Sequence, residues 1–289
     1  MPLLLRLAWP LCLLLSGLAW AAEDVPAQQN PATPEAEAKP PLPPKPPETK
    51  WEGAIGPVFS YSPEYSGSAT RKLSVEGGFY LRYGRFTLSN SSGFVTRRNK
   101  DDIFRGLGVD LVQNEKLRVG LSLRLDHGRR SSDAKNLEGI EDVRRTIRMR
   151  ATATRQFDGG FRLSAGWNTD LLGRGGGNLV DVGVRHDRRF SPRTTWSVGM
   201  GLAWADRRHL QSYFGVSPEE SAASGHPAYQ PGAGLRDVSV STSFRTELHP
   251  RWVALGSVSA GRLLGPAARS PLTVSTRPWG LSAGVAWLF

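Results

Sequence analysis

The feature that most constrains this chain is a strict alternation of apolar and small or polar residues in long segments after residue 50. In the segment 117–126, LRVGLSLRLD, every odd-numbered residue is Leu or Val, whereas the even-numbered residues are Arg, Gly, Ser and Asp. A period of two places the apolar side chains on one face of a β-strand and the others on the opposite face. Similar segments occur at 73–83, 146–154, 196–205, 237–245 and 279–289.

The length of these segments favours a membrane-spanning barrel. Each runs for 9 to 11 residues, which exceeds the ~5–6 residues of an ordinary strand and matches the ~9–11 of a tilted transmembrane strand. Tight turns such as YGR at 83–85 and HPR at 249–251 alternate with longer connections such as 206–235. Short turns at one end and longer loops at the other are typical of outer-membrane barrels.

The pattern therefore predicts an all-β fold, a transmembrane antiparallel β-barrel of outer-membrane type with about twelve strands. A soluble β-sandwich also alternates, but it would have shorter strands and no need for Trp at both ends of one strand, as at Trp196 and Trp204. An even strand number places both termini on the periplasmic side. We expect the strands near 52–62, 73–83, 86–95, 103–112, 117–126, 143–157, 161–170, 179–190, 195–205, 236–248, 251–263 and 279–289.

The segment WGLSAGVAWLF at 279–289 is the most hydrophobic of these strands. In hydrocarbon an unpaired strand edge leaves N–H and C=O groups unsatisfied, so we expect this strand to pair with the first and close the barrel. Its apolar face would contact outer-membrane lipid. Its alternating apolar residues before a final Phe are similar to the signal read by the barrel assembly machinery, here Val285, Trp287 and Phe289.

The first 50 residues have a different composition. Arg6, an apolar run and an A-W-A cleavage site at 19–21 predict a secretory signal peptide over residues 1–21, with a membrane anchor as the alternative. Residues 22–50 are Pro-rich and too poor in large apolar side chains to fold alone, which predicts a disordered periplasmic tether. This tether acts as a spacer or binds a partner, and the barrel occupies residues 51–289.

Charge and residue content exclude several classes of function. The net charge of +11 is spread over the chain without any nucleic-acid-binding module, so we predict no nucleic-acid partner. The single cysteine, Cys12, lies in the predicted signal peptide, so the mature chain would contain no disulfide. His, Asp and Glu show no metal-ligand spacing, and we predict no metal and no cofactor.

Two Asp–His pairs are the residues most compatible with catalysis. Asp126 and His127 adjoin at a strand end, and Asp206 and His209 lie at the start of the longest loop. Some barrel enzymes use such pairs at the rim, but no nucleophile or second carboxylate stands beside either pair. The Gly-rich run at 171–178 lacks the Lys and Ser/Thr of a phosphate-binding loop. We therefore predict no catalytic residue and no enzymatic activity.

Arginines on the polar faces of the strands set the expected character of the lumen. An excess of Arg would bias a pore toward anions, whereas Arg–carboxylate pairs would plug it, and both alternatives stay open for a barrel of intermediate width. The loop 206–235 would fold inward as a constriction or outward as a binding surface. The candidate lumen arginines are Arg118, Arg124, Arg148, Arg150 and Arg185, with Glu76, Asp110, Asp126, Asp181 and Asp237 as partners.

Several loop motifs occur in a fixed order along the chain. The first loop contains P-x-Y-x-G-S, and L-x-G-x-x-D follows at 137–142. The longest loop contains Y-F-G-V, A-x-S-G and A-Y-x-x-G-x-G-L-x-D, and L-L-G-x-A-x-x-S-P occupies 263–271. Together they resemble the MipA/OmpV family (MltA-interacting protein, outer-membrane protein V) over residues 51–289, although the end AGVAWLF departs from the usual Y-x-F. The motif residues are Pro63, Tyr65, Gly67, Ser68, Tyr213, Phe214, Gly215, Val216, Ser224, Gly225, Tyr229, Gly234, Ser270 and Pro271.

The resemblance implies an outer-membrane location in Gram-negative bacteria. It also implies a scaffold that brings a membrane-bound lytic transglycosylase together with a penicillin-binding peptidoglycan synthase. Our first hypothesis is therefore a non-enzymatic scaffold whose periplasmic turns and tether engage murein-remodelling enzymes. The alternative is a small-solute channel with an Arg-lined lumen gated by loop 206–235, and a barrel hydrolase is a third hypothesis.

Overall fold

The computed structural model describes residues 51–90 and 106–289, and within these ranges the chain forms one closed antiparallel β-barrel. Each strand pairs with its neighbours in sequence, and the last strand pairs with the first, which confirms the predicted fold class. The twelve strands are β1 (Trp51–Pro63), β2 (Arg71–Tyr83), β3 (Phe86–Ser89), β4 (Gly106–Gln113), β5 (Leu117–Asp126), β6 (Thr146–Gln156), β7 (Phe161–Asp170), β8 (Asn178–Ser191), β9 (Thr194–Ala205), β10 (Gly234–His249), β11 (Trp252–Leu263) and β12 (Trp279–Leu288).

The alternation in the sequence becomes two faces of the barrel wall. On β12, Trp279, Leu281 and Trp287 are exposed on the outside, whereas Ala286 and Leu288 are buried on the inside. Large apolar side chains elsewhere on the outer wall are equally exposed, such as Leu73 at 68%. A soluble protein rarely exposes so much apolar surface, but a wall in contact with lipid requires it.

The strand bounds follow the prediction with local differences. The predicted strand 143–157 begins only at Thr146, because Val143 instead pairs with Arg129 in an isolated bridge within the preceding loop. The predicted signal peptide and tether lie outside the described residues. Parts of the predicted strands 86–95 and 103–112 lie outside them as well.

The pairing of β1 with β12 extends to the last residues of β12. Ala54 faces Leu288 and Tyr61 faces Leu281 in the register of the two strands. Beyond this, the Phe289 N–H donates to the Gly53 carbonyl at 3.0 Å, and the Gly53 N–H donates to the Phe289 carbonyl at 3.0 Å. Phe289 therefore adds to the backbone pairing across the seam that a closed barrel in lipid needs.

The long connections contain helices that strand alternation did not predict. Helix α1 (Arg207–Phe214) begins at Asp206, whose side chain accepts a hydrogen bond from the His209 N–H. Helix α2 (Pro218–Ser224) begins with a capping box between Ser217 and Glu220. Helix α3 (Gly265–Ala268) is a single turn. No helix among the described residues is long and apolar enough to span a membrane.

The loops 64–70, 127–145, 206–233 and 264–278 pack together, and we call this assembly the loop cap. In a ring of six hairpins the β5–β6 and β11–β12 hairpins are diametrically opposite. Nevertheless, the Asn136 amide donates to the Leu272 carbonyl at 3.2 Å and to the Tyr65 hydroxyl at 2.8 Å. Contacts between opposite loops can form only across the mouth, so the loop cap covers this end of the barrel.

An apolar cluster holds the loop cap together. Leu137 and Ile140 from the β5–β6 loop contact Val216, Tyr65 and Leu272, which come from three other loops. Leu137 and Val216 have no solvent exposure. Burying a large aliphatic side chain contributes about 1.5–3 kcal/mol, so this cluster is a substantial source of stability for loops that lack strand pairing.

The opposite end, where the short turns lie, is filled by side chains. A second apolar cluster of Ala54, Tyr80, Val253, Ala286 and Leu288 lies inside the wall there. Near the β2–β3 turn, Asp110 accepts from Arg118 at 2.8 Å and from Arg82 at 3.2 Å. The turn half of the lumen is therefore packed rather than open.

Candidate functional site

A chamber of about 590 Å³ lies in the lumen directly beneath the loop cap. Its walls carry four arginines and two aspartates, and helix α1 supplies His209, Tyr213 and Phe214. The charged residues that line it are Arg124, Arg148, Arg150, Arg236, Asp126 and Asp181. The chamber therefore combines free space with charged side chains.

Arg148 connects the wall of the chamber to the loops above it. Its guanidinium donates to the Asp126 carboxylate at 2.5 Å and to the Gly176 carbonyl at 2.5 Å. Arg148 is 2% exposed, so both partners are needed to compensate its loss of hydration. This network fixes the β7–β8 loop, which contains Gly176, against β6.

Arg150 has a fixed position on the same wall. Its two terminal nitrogens donate to the two oxygens of Asp181 at 2.5 and 2.7 Å, a bidentate arrangement. The guanidinium lies against Gly166 on the neighbouring strand, where a Cβ atom would approach Nη2 to 2.3 Å. A glycine at this position therefore makes the space in which Arg150 lies.

Arg236 reaches the chamber because of a β-bulge. The register between β9 and β10 shifts between Leu235 and Asp237, which leaves Arg236 as an extra residue. A bulge redirects the local side chains, so Arg236 faces the chamber although strict alternation assigns Asp237 to that face. The sequence analysis named Asp237 but not Arg236 for this reason. Arg236 and Asp237 form an ion pair at 2.5 Å.

His209 and Tyr213 form the roof of the chamber. The His209 Nδ1 lies 2.9 Å from the Gly176 carbonyl, which can only accept, and this assigns the proton to Nδ1; the Arg148 Nη2, 3.3 Å away, then donates to Gly176 rather than to His209. Burial lowers the pKa of the His209 imidazole from 6.5 to about 4; the Arg236 and Arg148 charges act in the same direction, and the Gly176 hydrogen bond opposes them. His209 is therefore neutral at pH 7. Burial raises the pKa of the Tyr213 hydroxyl, which donates to Asp126 at 3.4 Å.

Replacing His209 with asparagine is expected to make the loop cap less sensitive to acid. Because the folded pKa is depressed to about 4, an opened cap takes up a proton below pH 6.5 that the closed cap excludes. Closed-cap stability therefore falls by up to about 3 kcal/mol between pH 6.5 and 4. An Asn amide keeps the hydrogen bond to Gly176 but does not titrate.

The measurement is limited proteolysis of the loop cap between pH 7 and pH 4. The native protein should become more sensitive over this range, the His209→Asn variant should change far less, and His127→Asn, at an exposed position, should behave like the native protein. Equal acid sensitivity of native protein and His209→Asn would show that His209 does not cause the effect.

The two Asp–His pairs considered for catalysis have structural roles. Asp206 caps helix α1 by accepting from the His209 N–H at 2.7 Å and also accepts from the Asn178 side chain at 2.7 Å. Asp126 pairs with Arg148, and His127 is exposed. Among residues 51–90 and 106–289, no group of three His, Cys, Asp or Glu side chains has metal-binding geometry.

The family-motif residues, scattered in sequence, meet in the loop cap. Tyr65 donates to the Leu272 carbonyl at 2.9 Å, and Ser270 donates to the Phe214 carbonyl at 2.6 Å. Val216 and Tyr229 exchange two backbone hydrogen bonds, and the Tyr229 hydroxyl donates to the Pro266 carbonyl at 2.9 Å. The motifs therefore encode the contacts between loops that hold the mouth covered.

Glycines of the motifs occupy turns that other residues adopt poorly. Gly225 ends helix α2 with φ of 76°, and Gly67 has φ of 107°. Gly67 also accepts through its carbonyl from the Val274 and Ser275 N–H groups at 2.9 Å, which joins the first and last loops of the cap. Both conformations lie in the region that favours glycine.

Sequence reasoning missed Arg129, which joins two loops of the cap. Arg129 is 5% exposed and donates to the Tyr213 carbonyl at 2.8 Å and the Glu141 carbonyl at 3.3 Å. Burial lowers the pKa of its guanidinium. Because Arg129 follows the alternating segment, periodicity gave no signal for its inward position.

The five candidate lumen arginines fall into two groups. Arg124 on β5 and Arg148 and Arg150 on β6 line the chamber. Arg118 and Arg185 lie nearer the turn end, where they pair with Asp110 at 2.8 Å and Asp187 at 3.0 Å. Asp187, which also pairs with Arg162, was not among the predicted partners.

Comparison with known families assigns the chain. The family model described as MltA-interacting protein MipA matches residues 55–289. The chain belongs to the MipA family. With the closed barrel and its apolar outer wall, this establishes an outer-membrane β-barrel, in agreement with the resemblance of its loop motifs.

Solved structures of bacterial outer-membrane barrels are similar in fold only. The channel DcaP of Acinetobacter baumannii has 10% identity and a TM-score of 0.36, with 83% of this chain and 97% of that chain covered. An outer-membrane channel of Pseudomonas putida F1 has 12% identity and a TM-score of 0.38, with 88% and 100% covered. OmpT of Vibrio cholerae has 7% identity and a TM-score of 0.38, with 83% and 99% covered. A comparison with proteins of curated function finds no match.

Proposed function

We propose that this MipA-family barrel is a non-enzymatic scaffold that holds a murein-remodelling lytic transglycosylase, together with a penicillin-binding synthase, at the outer membrane. The observation that supports the proposal is the match to a family described as MltA-interacting protein MipA. The barrel then serves as an anchor, with its short turns and the predicted tether directed to the periplasm.

The interior of the barrel supports an anchor rather than an open pore. The loop cap covers one mouth through contacts between opposite loops, such as Asn136 to Leu272. Apolar side chains, including Tyr80 and Leu288, fill the turn end. A scaffold gains rigidity from a filled lumen, whereas a diffusion pore of the porin kind keeps an aqueous channel.

The chamber beneath the loop cap favours one second candidate, a gated channel for small solutes. Arg124, Arg148 and Arg150 would give its lumen an anionic preference, and movement of helix α1 would open the mouth. This candidate requires both the loop cap and the apolar cluster at the turn end to rearrange.

Charge reversal at the short turns tests the scaffold. The turns carry exposed cations, and Arg193→Glu with Arg251→Glu should reduce co-purification of an MltA-type transglycosylase at least tenfold after crosslinking in cells. The matched control reverses two exposed arginines at the loop end, Arg207→Glu with Arg269→Glu, and should retain the partner. Absence of any murein enzyme from the native complex would refute the proposal.

Planar-bilayer recording separates the two candidates. A scaffold should give no stable single-channel steps, whereas the gated channel should conduct and conduct more when Arg129→Met loosens the cap. Steady conductance from the native protein would favour the channel over the anchor.

A further inference from the structure

The chamber is a part of the lumen that the side chains leave unfilled. Around Arg118 and Asp110, on the turn side of the barrel, the side chains leave a space of about 10 Å³. Beneath the loop cap, the side chains that line the chamber leave about 590 Å³. That volume lies within the ~300–1,000 Å³ typical of sites for small organic molecules.

We propose that this chamber binds a small organic anion that carries at least two carboxylate or phosphate groups. Four arginines against two aspartates give the residues that line the chamber a formal charge of +2. His209 adds no charge because it is neutral at pH 7. A positive formal charge on the lining is complementary to a ligand that carries a small number of negative charges.

The positions of Arg124 and Arg236 explain why the ligand needs two anionic groups. Arg124 lies on β5 and Arg236 lies at the start of β10, five strands further around a ring of twelve. The two guanidinium groups therefore stand on opposite walls of the chamber. A ligand with an anionic group at each end contacts both walls, whereas a single anion contacts one.

The chamber is organised before any ligand enters. Asp181 holds Arg150 through two hydrogen bonds, and Asp126 with the Gly176 carbonyl holds Arg148. Because little side-chain entropy is lost on binding, fixed arginines favour recognition of oxyanions.

Isothermal titration of the purified protein in detergent tests the proposal. Succinate and inorganic pyrophosphate are the two probes with an anionic group at each end, called dianions here for their two anionic groups; they separate carboxylate from phosphate recognition, and glucose and putrescine are the neutral and cationic probes. We expect at least one dianion to bind. Arg124→Gln and Arg236→Gln should each weaken it about tenfold or more, as loss of a charged hydrogen bond does.

Arg185→Gln is the matched control, because Arg185 faces the lumen outside the chamber and should leave the affinity unchanged. Binding of neither dianion would overturn the proposal, as would equal weakening by Arg185→Gln or equally tight binding of glucose or putrescine.

Gly166→Ala tests the same site without changing its charge. The new Cβ displaces the Arg150 guanidinium, so dianion binding should weaken several-fold while the circular dichroism of the barrel is retained. Unchanged affinity in a folded Gly166→Ala variant would contradict the role of the fixed Arg150. These outcomes are independent of whether a transglycosylase co-purifies.

Discussion

Arg148→Met is expected to lower the free energy of unfolding by about 3–5 kcal/mol, because it leaves the Asp126 carboxylate without its buried partner. The substitution also removes the donor to the Gly176 carbonyl. Methionine keeps the length of the side chain, so the loss reports on charge and hydrogen bonding rather than on a cavity. Urea unfolding of the protein reconstituted in lipid vesicles, followed by Trp fluorescence, measures the change.

Arg185→Met is the control for this experiment. The Arg185 side chain is 44% exposed, and Asp187 retains Arg162 as a second partner. An exposed ion pair contributes about 0–1 kcal/mol, so this variant should remain close to the native protein. If both substitutions lowered the free energy of unfolding equally, burial of the Arg148–Asp126 pair would not explain the effect of Arg148→Met.

Phe289→Asp is expected to reduce the amount of folded barrel in the outer membrane at least several-fold while export across the inner membrane continues. The Phe289 ring contacts Trp287, with centroids 5.2 Å apart, and covers Gly53 on the outer face of the seam. A charged group there faces lipid near the interface and disfavours seam closure. Heat-modifiable migration on gels, with a periplasmic marker for export, measures the outcome.

A pair of glycine substitutions isolates the role of the seam. Gly53→Val places a side chain where the Phe289 ring lies, since a Cβ would be 2.2 Å from its Cζ. Gly77→Val lies on the outer face of the adjacent strand, where nothing stands within 4 Å of the added atom. We expect assembly to be impaired only by Gly53→Val. Normal assembly of both Gly53→Val and Phe289→Asp would show that packing at the end of the seam is dispensable.

The barrel itself was predictable because its wall follows a local rule. Each strand must place apolar side chains toward lipid at every second position, so segments such as 117–126 determine both the strand and its inward face. Pairing of the first and last strands followed from the need to satisfy every backbone group in hydrocarbon. The same rule is the basis of the prediction that Arg124, Arg148 and Arg150 face the lumen.

The chamber and the loop cap were not predictable in the same way. Arg236 depends on a bulge that breaks the alternation, and Arg129 lies in a loop where no periodicity applies. The contact of Asn136 with Tyr65 and Leu272 joins residues far apart in sequence. The family motifs include several residues of the loop cap, but only the folded structure shows that these loops pack together over the mouth of the barrel.

Disulfide formation across the seam tests most directly whether residues 51–289 close into a barrel. Ser60 and Ser282 face each other on β1 and β12, and Cys12 is the only native cysteine. In cells that express Ser60→Cys/Ser282→Cys, oxidation should join residues 60 and 282 in most molecules of the membrane fraction. The control pair Ser60→Cys/Thr152→Cys, placed on β1 and β6, should stay unlinked. Linkage of the control pair, or none across the seam, would contradict the closed barrel on which this account depends.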